Sequence, residues 1–401
     1  MITADRTPLK AVVGINERSL PDTTPEDREF RYLEISAVGQ GVLRSPPETV
    51  RFGDAPSRAR RLVEAGDTII STVRTYLRAV YGISEEDDPD TLVVSTGFAV
   101  LTPGPAVNPR YFSWMAQSDP FIEEVVARSV GVSYPAINPS ELGRLQVPLP
   151  PLDVQTAIAD FLDAETARID ALITKKRRLV ELLDERYRSV VDEVSATGRP
   201  RRVRHLTSLV TSGPRGWAAR VGEEGHPFIR SANLRRDSVD LRRENLLRVD
   251  AVPTAEARRS RVRAGDTVVG ITGANTGWVG LVTPGDAPAY VSQHVAILRP
   301  EGVDPAWLAL SVFSRRAQEA LLAGQYGGTK QQLGLADLAD LVITVPSLEE
   351  QRRLVTRLAQ IRELGAASRA KVRRQVDLLL EHRQALVTAA VTGELAVPGA
   401  A

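Results

Sequence analysis

The chain has 401 residues, of which 43% are hydrophobic and 25% charged, a composition typical of globular proteins with more than one domain. Because it has no cysteine, disulfides and thiolate metal sites are excluded, and four scattered histidines argue against a zinc site. Residues 1–10 lack the apolar stretch of a signal peptide, and no apolar run is long enough to cross a membrane. We therefore expect a cytoplasmic protein without a metal site.

An internal repeat with an offset of about 196 residues organises the chain. Repetition at such a long period indicates a duplicated structural unit. Each copy has a mixed, strand-containing region followed by a helical region. The matching segments are residues 32–37 and 228–233, 65–70 and 264–269, 94–101 and 291–298, and 152–155 and 348–351.

Residues 1–150 form the first mixed region, in which Gly66 and Asp67 make a turn into a predicted strand. Binding residues concentrate on loops that rigid strands hold in place, so polar side chains after this strand are candidates for a binding site. The region is net acidic, with fifteen basic residues against twenty acidic ones. The candidates are Arg74, Tyr76 and Arg78 in the next loop, and Ser133 and Tyr134 in a later loop.

A proline-rich connector, residues 147–151, leads into a long helical region, residues 151–198. Apolar residues recur there at steps of three and four, which predicts an amphipathic helix of about forty residues and about 60 Å. A helix of this length needs a partner along its apolar stripe. The residues assigned to pairing are Ile158, Leu162, Ile169, Leu172, Leu179 and Leu183.

The second mixed region, residues 199–345, has sixteen arginines against seven acidic residues between positions 199 and 263. This excess is either the electrostatic footprint of a nucleic-acid site or an ordinary solvated surface. Arginine can contact guanine, asparagine and glutamine can read adenine, and glycine lets the backbone approach phosphate. The candidates are Arg230, Asn233, Thr272, Asn275, Thr276, Trp278, Gln293, His294, Thr329, Lys330 and Gln331.

A second long helical region, residues 346–393, precedes a short tail, residues 394–401. We expect this helix to pair with the first as an antiparallel coiled coil, although two independent helices, each packed on its own mixed region, are the alternative. The predicted fold class is α+β: two mixed α/β domains in tandem repeat, separated and followed by long helices. The pairing residues of the second helix are Leu358, Ile361, Val376, Leu379 and Leu386.

Motifs of catalysis are absent from the sequence. The Asp/Asn-Pro-Pro-Tyr/Phe tetrapeptide of amino-methyltransferases is missing, since residues 108–111 and 304–307 lack its second proline. No Gly-x-x-x-x-Gly-Lys-Ser/Thr loop cradles a nucleotide, and no histidine has a partner at triad spacing. We therefore expect no catalytic residue and no bound cofactor. Besides a non-catalytic nucleic-acid-binding protein, two classes stay open. One is a self-contained DNA-modifying enzyme, and the other is a coiled-coil scaffold without sequence readout.

Several segments closely resemble the DNA-specificity subunits of type I restriction-modification systems. In the first copy these are residues 147–155, 158–163, 168–173 and 182–186, which match the central conserved region of that family. In the second copy they are residues 327–333 and 345–351. The resemblance covers essentially the whole chain and includes the order of domain, helix, domain, helix.

The resemblance implies a non-catalytic subunit whose two mixed regions are target-recognition domains, each reading half of a bipartite sequence in double-stranded DNA. It implies that the paired helices act as a spacer and dock two adenine-methyltransferase subunits. S-adenosylmethionine would belong to those subunits, and ATP and Mg²⁺ to a motor-nuclease subunit that completes the restriction complex. The first domain departs from the family pattern, because it is net acidic and has Val132-Ser133-Tyr134 where the second has Thr329-Lys330-Gln331.

Overall fold

The computed structural model describes residues 6–251, 254–323 and 332–400. It divides into two compact units, Met1–Lys176 with Arg374–Ala401, and Arg177–Arg373. Each unit joins a strand-rich region to parts of both long helices. The five predicted segments, divided at residues 150, 198, 345 and 393, instead keep each long helix separate from the strand-rich regions. The predicted fold class is confirmed, with mixed sheet and helix in each copy and a long helix after it.

The first unit contains two four-stranded sheets and a strand pair within its described residues. Its strands are β1 (Arg6–Pro8), β2 (Val13–Ile15), β3 (Glu29–Leu33), β4 (Glu48–Arg51), β5 (Ala59–Leu62), β6 (Thr68–Ser71), β7 (Val80–Gly82), β8 (Leu92–Ser95), β9 (Phe98–Pro103) and β10 (Gln146–Pro148). The sheets have the orders β4-β3-β8-β5 and β2-β9-β6-β7, and β1 pairs with β10. Strands β3 and β8 are parallel, with Leu33 opposite Val94, so their carboxyl ends meet at one edge.

The second unit repeats this plan, again within its described residues. Its strands are β11 (Arg199–Arg202), β12 (Thr207–Ser212), β13 (Val221–Gly222), β14 (His226–Ile229), β15 (Leu247–Val249), β16 (Arg261–Val262), β17 (Thr267–Gly270), β18 (Val279–Leu281), β19 (Ala289–Val291), β20 (Val295–Pro300) and β21 (Val342–Val345). The sheet orders are β13-β15-β14-β19-β16 and β12-β20-β17-β18, and β11 pairs with β21. Strands β14 and β19 are parallel, with Ile229 opposite Val291, as the repeat predicts.

The helices begin where the sequence places caps and prolines. They are α1 (Pro109–Gln117), α2 (Asp119–Ala127), α3 (Pro139–Leu142), α4 (Leu152–Ser195), α5 (Ala255–Ser260), α6 (Pro305–Phe313), α7 (Arg315–Ala323), α8 (Leu335–Asp340) and α9 (Leu348–Thr392). Asn108 and Asp304 are equivalent N-caps, and the side chain of each accepts hydrogen bonds from two backbone N–H groups of the first turn. A proline follows each cap at the first helical position, where its missing N–H costs nothing.

A buried aspartate anchors the same turn in both units. Gly66 and Gly265 have φ of +92° and +91°, a left-handed conformation that favours glycine. Asp67 and Asp266 follow them, are 2% and 1% exposed, and each accepts a hydrogen bond of 2.8 Å from the backbone N–H three residues earlier. Each carboxylate also pairs with an arginine. The repeated Ala-Gly-Asp-Thr segment is therefore a structural device that sets the start of β6 and β17.

In the first unit the two long helices run antiparallel. Asp170 Oδ1 lies 3.1 Å from Arg383 Nε, and Lys176 Nζ donates to Gln375 Oε1 at 2.7 Å. As the residue number rises along α4, that of its partner on α9 falls, which is the direction expected of an antiparallel pair. The predicted pairing is confirmed for these segments.

The seam of this pair differs from the predicted stripe. Ile169, Ile173 and Val376 form a buried cluster, whereas Leu172 is 42% exposed. Leu179, in the second unit, is 44% exposed. The assignment of Leu172 and Leu179 to helix pairing is therefore wrong, because Ile173 takes the seam position four residues after Ile169. The remaining assigned residues are buried (Ile158, Leu162, Leu358) or partly buried (Leu183, Ile361, Leu379, Leu386).

The alternative of helices packed on their own mixed regions is also realised. Ile158 and Leu162 are buried with the strands and short helices of the first unit. In the second unit, Val191 and Leu358 join the core of the strand-rich region, and Asp184 pairs with Arg369 at 3.0 Å. The long helices therefore pair and, at the same time, form part of each domain core.

The predicted tail is packed against the first unit. Val397 and Ala400 are each 6% exposed and belong to the core cluster that contains Ile158. Burial of the tail fastens the end of α9 to the first strand-rich region. Among the described residues, none of the helices combines the length and apolar character of a membrane span.

Candidate nucleic-acid interface

Equivalent loops follow β6 and β17 and are called here the β6 loop, residues 72–78, and the β17 loop, residues 271–277. Both loops become left-handed at the same two positions. In the β6 loop these are Arg74 and Arg78, with φ of +50° and +56°, and in the β17 loop they are Gly273 and Gly277, with φ of +83° and +85°. A residue with a Cβ costs about 1–2 kcal/mol in this conformation, so the arginines occupy positions at which glycine would be favoured. Such strain marks the β6 loop as a functional candidate.

Two predicted candidates from different loops meet in the first unit. The Arg74 guanidinium carbon lies 4.7 Å from the centroid of the Tyr134 ring, a cation–π contact. The Arg74 backbone N–H donates to the Pro135 carbonyl at 2.7 Å, which joins the β6 loop to residues 130–135. Tyr134 is 65% exposed. The structure therefore presents a guanidinium and an aromatic ring together at the surface.

Exposed apolar side chains surround this pair. Tyr76 is 53% exposed, and Val130 and Val132 are 81% and 103% exposed. Ser133 is also exposed, between Val132 and Tyr134. Exposed apolar groups near a polar anchor are typical of interaction sites, and in a DNA major groove they can contact the methyl group of thymine. Sequence reasoning missed Val130 and Val132, although their position around Gly131 in a short loop was a usable signal.

Arg78 has another role. Its guanidinium pairs with Asp119 Oδ1 at 2.6 Å, and its side chain is only 37% exposed. On the other side of the loop, the Thr75 hydroxyl hydrogen-bonds to the Ser129 hydroxyl at 2.8 Å. Arg78 therefore fastens the β6 loop to the start of α2, and its prediction as a DNA contact is corrected to that of a residue that positions the loop.

Three predicted contacts of the β17 segment hold that loop in place. Asn275 Nδ2 donates to the Ser231 carbonyl at 2.8 Å, and Thr276, which is 6% exposed, donates to the Gly273 carbonyl at 2.6 Å. Trp278 is partly buried against the core of the second unit. These residues were predicted to face DNA, and the structure corrects Asn275 and Thr276 to structural roles because their polar atoms are used within the loop.

A small exposed polar group is built from Thr272, Gln293 and His294. His294 Nδ1 lies within hydrogen-bond distance of the Thr272 hydroxyl, and His294 Nε2 lies 3.0 Å from Gln293 Nε2. Because the amide nitrogen of Gln293 can only donate, His294 Nε2 accepts in this orientation and Nδ1 carries the ring proton. Gln293 and His294 are exposed. The second unit thus presents an ordered amide and imidazole after β19.

The two candidates that follow β14 differ in role. Asn233 is 2% exposed; its Oδ1 accepts from the Arg230 backbone N–H at 2.9 Å, and its Nδ2 donates to the Arg242 carbonyl at 3.1 Å. The prediction that Asn233 reads DNA is therefore wrong, because its amide closes the turn. Arg230 is partly exposed, and its buried Nε has no hydrogen-bond partner among the described residues.

Three further candidates, Thr329, Lys330 and Gln331, lie outside the described residues. The first described residue after them, Gln332, makes an antiparallel bridge with Thr272, and the Leu333 N–H donates to the Ile271 carbonyl at 2.9 Å. This end of the segment therefore lies against the β17 loop, as Pro135 lies against the β6 loop.

A cleft of about 730 Å³ lies beside the β17 loop, with Trp278, Arg188, Arg235 and Arg315 in its lining. It is adjacent to Gly277, the position that Arg78 occupies in the first unit. A Cβ atom at Gly277 would lie only 2.8 Å from Oε1 of Gln318, which also lines the cleft. Because Gly277 has no side chain, the cleft beside the candidate interface stays open, with both basic and acidic residues in its lining.

In the ranges 6–251, 254–323 and 332–400, His, Asp and Glu side chains do not gather into a group of three or more that could hold a metal ion. The exposed guanidinium, aromatic, amide and imidazole groups are those that contact bases and phosphates.

Comparison with known proteins identifies the family to which the chain belongs. The family model of the type I restriction modification DNA specificity domain matches residues 63–182 and 255–374, one match in each copy of the sequence repeat. The chain is 24% identical over 307 residues to the type I restriction enzyme EcoBI specificity subunit of Escherichia coli, covering 69% of this chain and 64% of that subunit. It is 21% identical over 322 residues to the EcoKI specificity subunit of Escherichia coli (strain K12), covering 74% and 68%.

Similarity to a solved structure concerns the fold. A chain from a study of complex assembly and conformational transition of the type I R-M system matches with a TM-score of 0.72 and 23% identity, covering 97% of this chain and 98% of that one. The aligned region spans 64% of the length of the EcoBI subunit.

Proposed function

We propose that this chain, which belongs to the type I restriction modification DNA specificity family, recognises a bipartite sequence in double-stranded DNA as the specificity subunit of a type I complex. The observation that carries the proposal is the repeat itself. The two units present different side chains at the same end of their repeated strands. In one these are Arg74 of the β6 loop with Tyr134, and in the other Gln293 with His294, on the turn before β20 that lies against the β17 loop. Each unit would read one half of the target.

The differences between the units support two separate readouts. The Arg74 guanidinium can donate two hydrogen bonds to guanine, and the exposed valines beside it can contact thymine methyl groups. The Gln293 amide can pair with adenine, and a histidine next to it can donate or accept. Because the two sets differ in chemistry, the two halves of the target should differ in sequence.

The long helices provide the surface for partner subunits in this proposal. Apolar side chains remain exposed on them, with Leu172, Leu378 and Leu380 in the first unit between 42% and 46% exposed. Leu364, in the second unit, is 72% exposed. Two adenine-methyltransferase subunits that carry S-adenosylmethionine would cover such positions. The chain itself would be non-catalytic and act in the cytoplasm, with ATP and Mg²⁺ used by a motor-nuclease subunit.

Domain exchange tests the proposal. The chain would be expressed with its methyltransferase subunits in a host that lacks adenine methylation, and the methylated sequence would be mapped across the genome. Replacing residues 199–345 by the corresponding region of another family member should change one half of the methylated sequence and leave the other half unchanged. A change in both halves would contradict independent readout.

If the methylated sites of the unmodified chain show no sequence preference, the result would favour a scaffold without readout. Methylation or cleavage of DNA by the purified chain alone, with Mg²⁺ and S-adenosylmethionine supplied, would favour the enzyme alternative. We expect neither result.

A further inference from the structure

Four arginines are concentrated on α5, on β16 and just after β16 in the second unit. Arg258, Arg259, Arg261 and Arg263 are all exposed, and we call them the arginine cluster. Across residues 6–251, 254–323 and 332–400, none of their guanidinium groups has an ion-pair or hydrogen-bond partner. Four positive charges within six residues repel one another, and an anionic ligand would relieve that repulsion.

Neutralisation by acidic neighbours is common elsewhere in this unit. The pairs include Arg202 and Arg204 with Asp340, Arg235 with Glu244, Arg243 with Asp286, Arg299 with Asp266, and Arg315 with Asp192. The arginine cluster therefore differs from these positions in leaving its charge available to a ligand.

The cluster also has a concave surface. Arg258, Arg261 and Arg263 line a cleft of about 580 Å³, together with Ala287 and Pro288. The cleft is open to solvent, and its lining joins three guanidinium groups to the apolar surface of Val262, Ala287 and Pro288. Three guanidinium groups around one cleft favour an anion such as a phosphate group.

Strand register places the start of the cluster beside the candidate interface. On β16, Arg261 lies opposite Tyr290 of the antiparallel strand β19. Residues before Arg261 therefore lie toward the carboxyl end of β19, the end from which Gln293 and His294 follow. The cleft itself lies at the amino end of β19, where Ala287 and Pro288 line it, so an anion bound there is at most about 16 Å from Gln293, five residues further along the chain. That distance is comparable to the width of a DNA major groove, so the same stretch of duplex can reach both.

The first unit also has arginines in this segment, but acidic neighbours pair with two of the three, Arg58 and Arg60. By strand register, Leu62 lies opposite Val93 where Arg261 lies opposite Tyr290, so Leu62 and Glu64 occupy the places of Arg261 and Arg263. Glu64 forms an ion pair with Arg18. Arg61 is partly buried, so this edge of the sheet presents less unpaired positive charge in the first unit than in the second.

We propose that the arginine cluster binds the phosphodiester backbone of the DNA next to the half-site read by the second unit. This inference rests on the proposed function and deepens it. Phosphate contacts supply affinity that does not depend on sequence, whereas base contacts supply discrimination. The second unit holds the duplex through this backbone contact, and the first unit, without an equivalent cluster, relies on the side chains of its loops.

Salt dependence of DNA binding tests the assignment. The full chain, assembled with its methyltransferase subunits, would be titrated with a target duplex and a non-target duplex at several salt concentrations. Three variants are compared: Arg258→Gln, Arg261→Gln and Arg263→Gln combined, the same three positions changed to Lys, and Arg202→Gln. The last is a matched control, because Arg202 is exposed and ion-paired with Asp340, which keeps Arg204 as a second partner.

We expect the Gln variant to lower the slope of log Kobs against log salt by about 0.9 for each phosphate that is no longer neutralised, so by up to about 2.7. The reduction in affinity should be equal on target and non-target DNA. The Lys variant and Arg202→Gln should keep the slope of the unmodified protein. If the Gln variant does not fold, Arg258→Gln and Arg263→Gln alone should each lower the slope by about 0.9.

An unchanged slope in a folded Gln variant would overturn the inference while leaving the proposed function intact. A reduction in affinity confined to target DNA would also overturn it, because it would indicate base contacts. If the unmodified protein binds both duplexes equally, the proposed function fails, and a lowered slope would still support the cluster as a phosphate site.

Discussion

Arg74 and Gly273 occupy the same position of the two repeated loops, and the backbone of both is left-handed, with φ of +50° and +83°. Glycine adopts this conformation without strain, whereas arginine adopts it at a cost of about 1–2 kcal/mol. The two units therefore share a loop frame, and the first unit uses it to hold a charged side chain over Tyr134.

The change Arg74→Gly should distinguish the contribution of the side chain from that of the loop backbone. Removing the left-handed strain raises the free energy of unfolding by about 1–2 kcal/mol, and removing the cation–π interaction lowers it by about 0.5–1 kcal/mol. We expect unchanged or slightly higher stability with weaker binding to target DNA. If Arg74 contacts a base, discrimination at one position should fall by about 1–3 kcal/mol, and if it contacts a phosphate, the salt slope should fall by about 0.9.

Arg51→Gln is the matched control for that experiment, because Arg51 lies on β4, is exposed and pairs with Glu29 at 3.2 Å. It should bind DNA like the unmodified chain. Equal affinity of Arg74→Gly and Arg51→Gln for target DNA would remove the β6 loop from the interface.

The position of these loops could be predicted from the sequence, but the direction of each side chain could not. The repeat located Arg74 and Asn233 equally well after repeated strands. Asn233 turned inward because a short amide after a strand can close its own turn by bonding to nearby backbone groups. The Arg74 side chain instead lies over the ring of Tyr134, which is 60 residues away in sequence. Only packing shows which polar atoms are already satisfied.

Gln155 and Gln351 should be stability determinants of their own units. Gln155 Oε1 accepts from the Asn108 N–H at 2.7 Å and its Nε2 donates to the Pro150 carbonyl at 2.8 Å, and Gln351 accepts from the Asp304 N–H at 2.8 Å. Replacing either by Leu leaves buried polar groups unpaired, at about 1–3 kcal/mol for each. Hydrogen exchange should show faster opening of the first unit in Gln155→Leu and of the second in Gln351→Leu. Each variant is the control for the other, and protection unchanged in both would contradict this role.

The stability of the second unit should depend on pH through Asp286. Burial acts to raise its pKa, but hydrogen bonds from Arg243 and Thr283 outweigh burial and hold the pKa below the ordinary value of 3.8. A depressed pKa in the folded state contributes stability that is present above the unfolded pKa and is lost as pH falls through the folded pKa. Asp286→Asn should therefore be less stable than the unmodified chain at pH 7, and the difference should shrink below about pH 4. Thermal unfolding at a series of pH values checks this, and a difference independent of pH would refute it.

The long helices show how far periodicity can be used. Steps of three and four predicted both helices and their pairing, because a continuous apolar stripe needs a partner. From Ile169, however, a step of three reaches Leu172 and a step of four reaches Ile173, and both are apolar. The sequence pattern cannot choose between them. The structure buries Ile173 at 4% exposure and leaves Leu172 at 42%.

That choice gives the last prediction, on partner docking. Because Leu172 and Leu179 are exposed, changing either to Asp should leave the fold and the helix pairing intact, while adding a charge that a methyltransferase interface would have to bury unpaired, at a cost of several kcal/mol. Ile173→Asp is the contrasting control: its charge falls in the seam with Ile169 and Val376 and should loosen the helix pair itself. Circular dichroism would show an unchanged melting temperature for the two Leu variants and a lower one for Ile173→Asp. Native mass spectrometry would count the methyltransferase subunits bound, and we expect fewer than two in the Leu variants. Normal assembly by both Leu172→Asp and Leu179→Asp would show that partners dock on another surface.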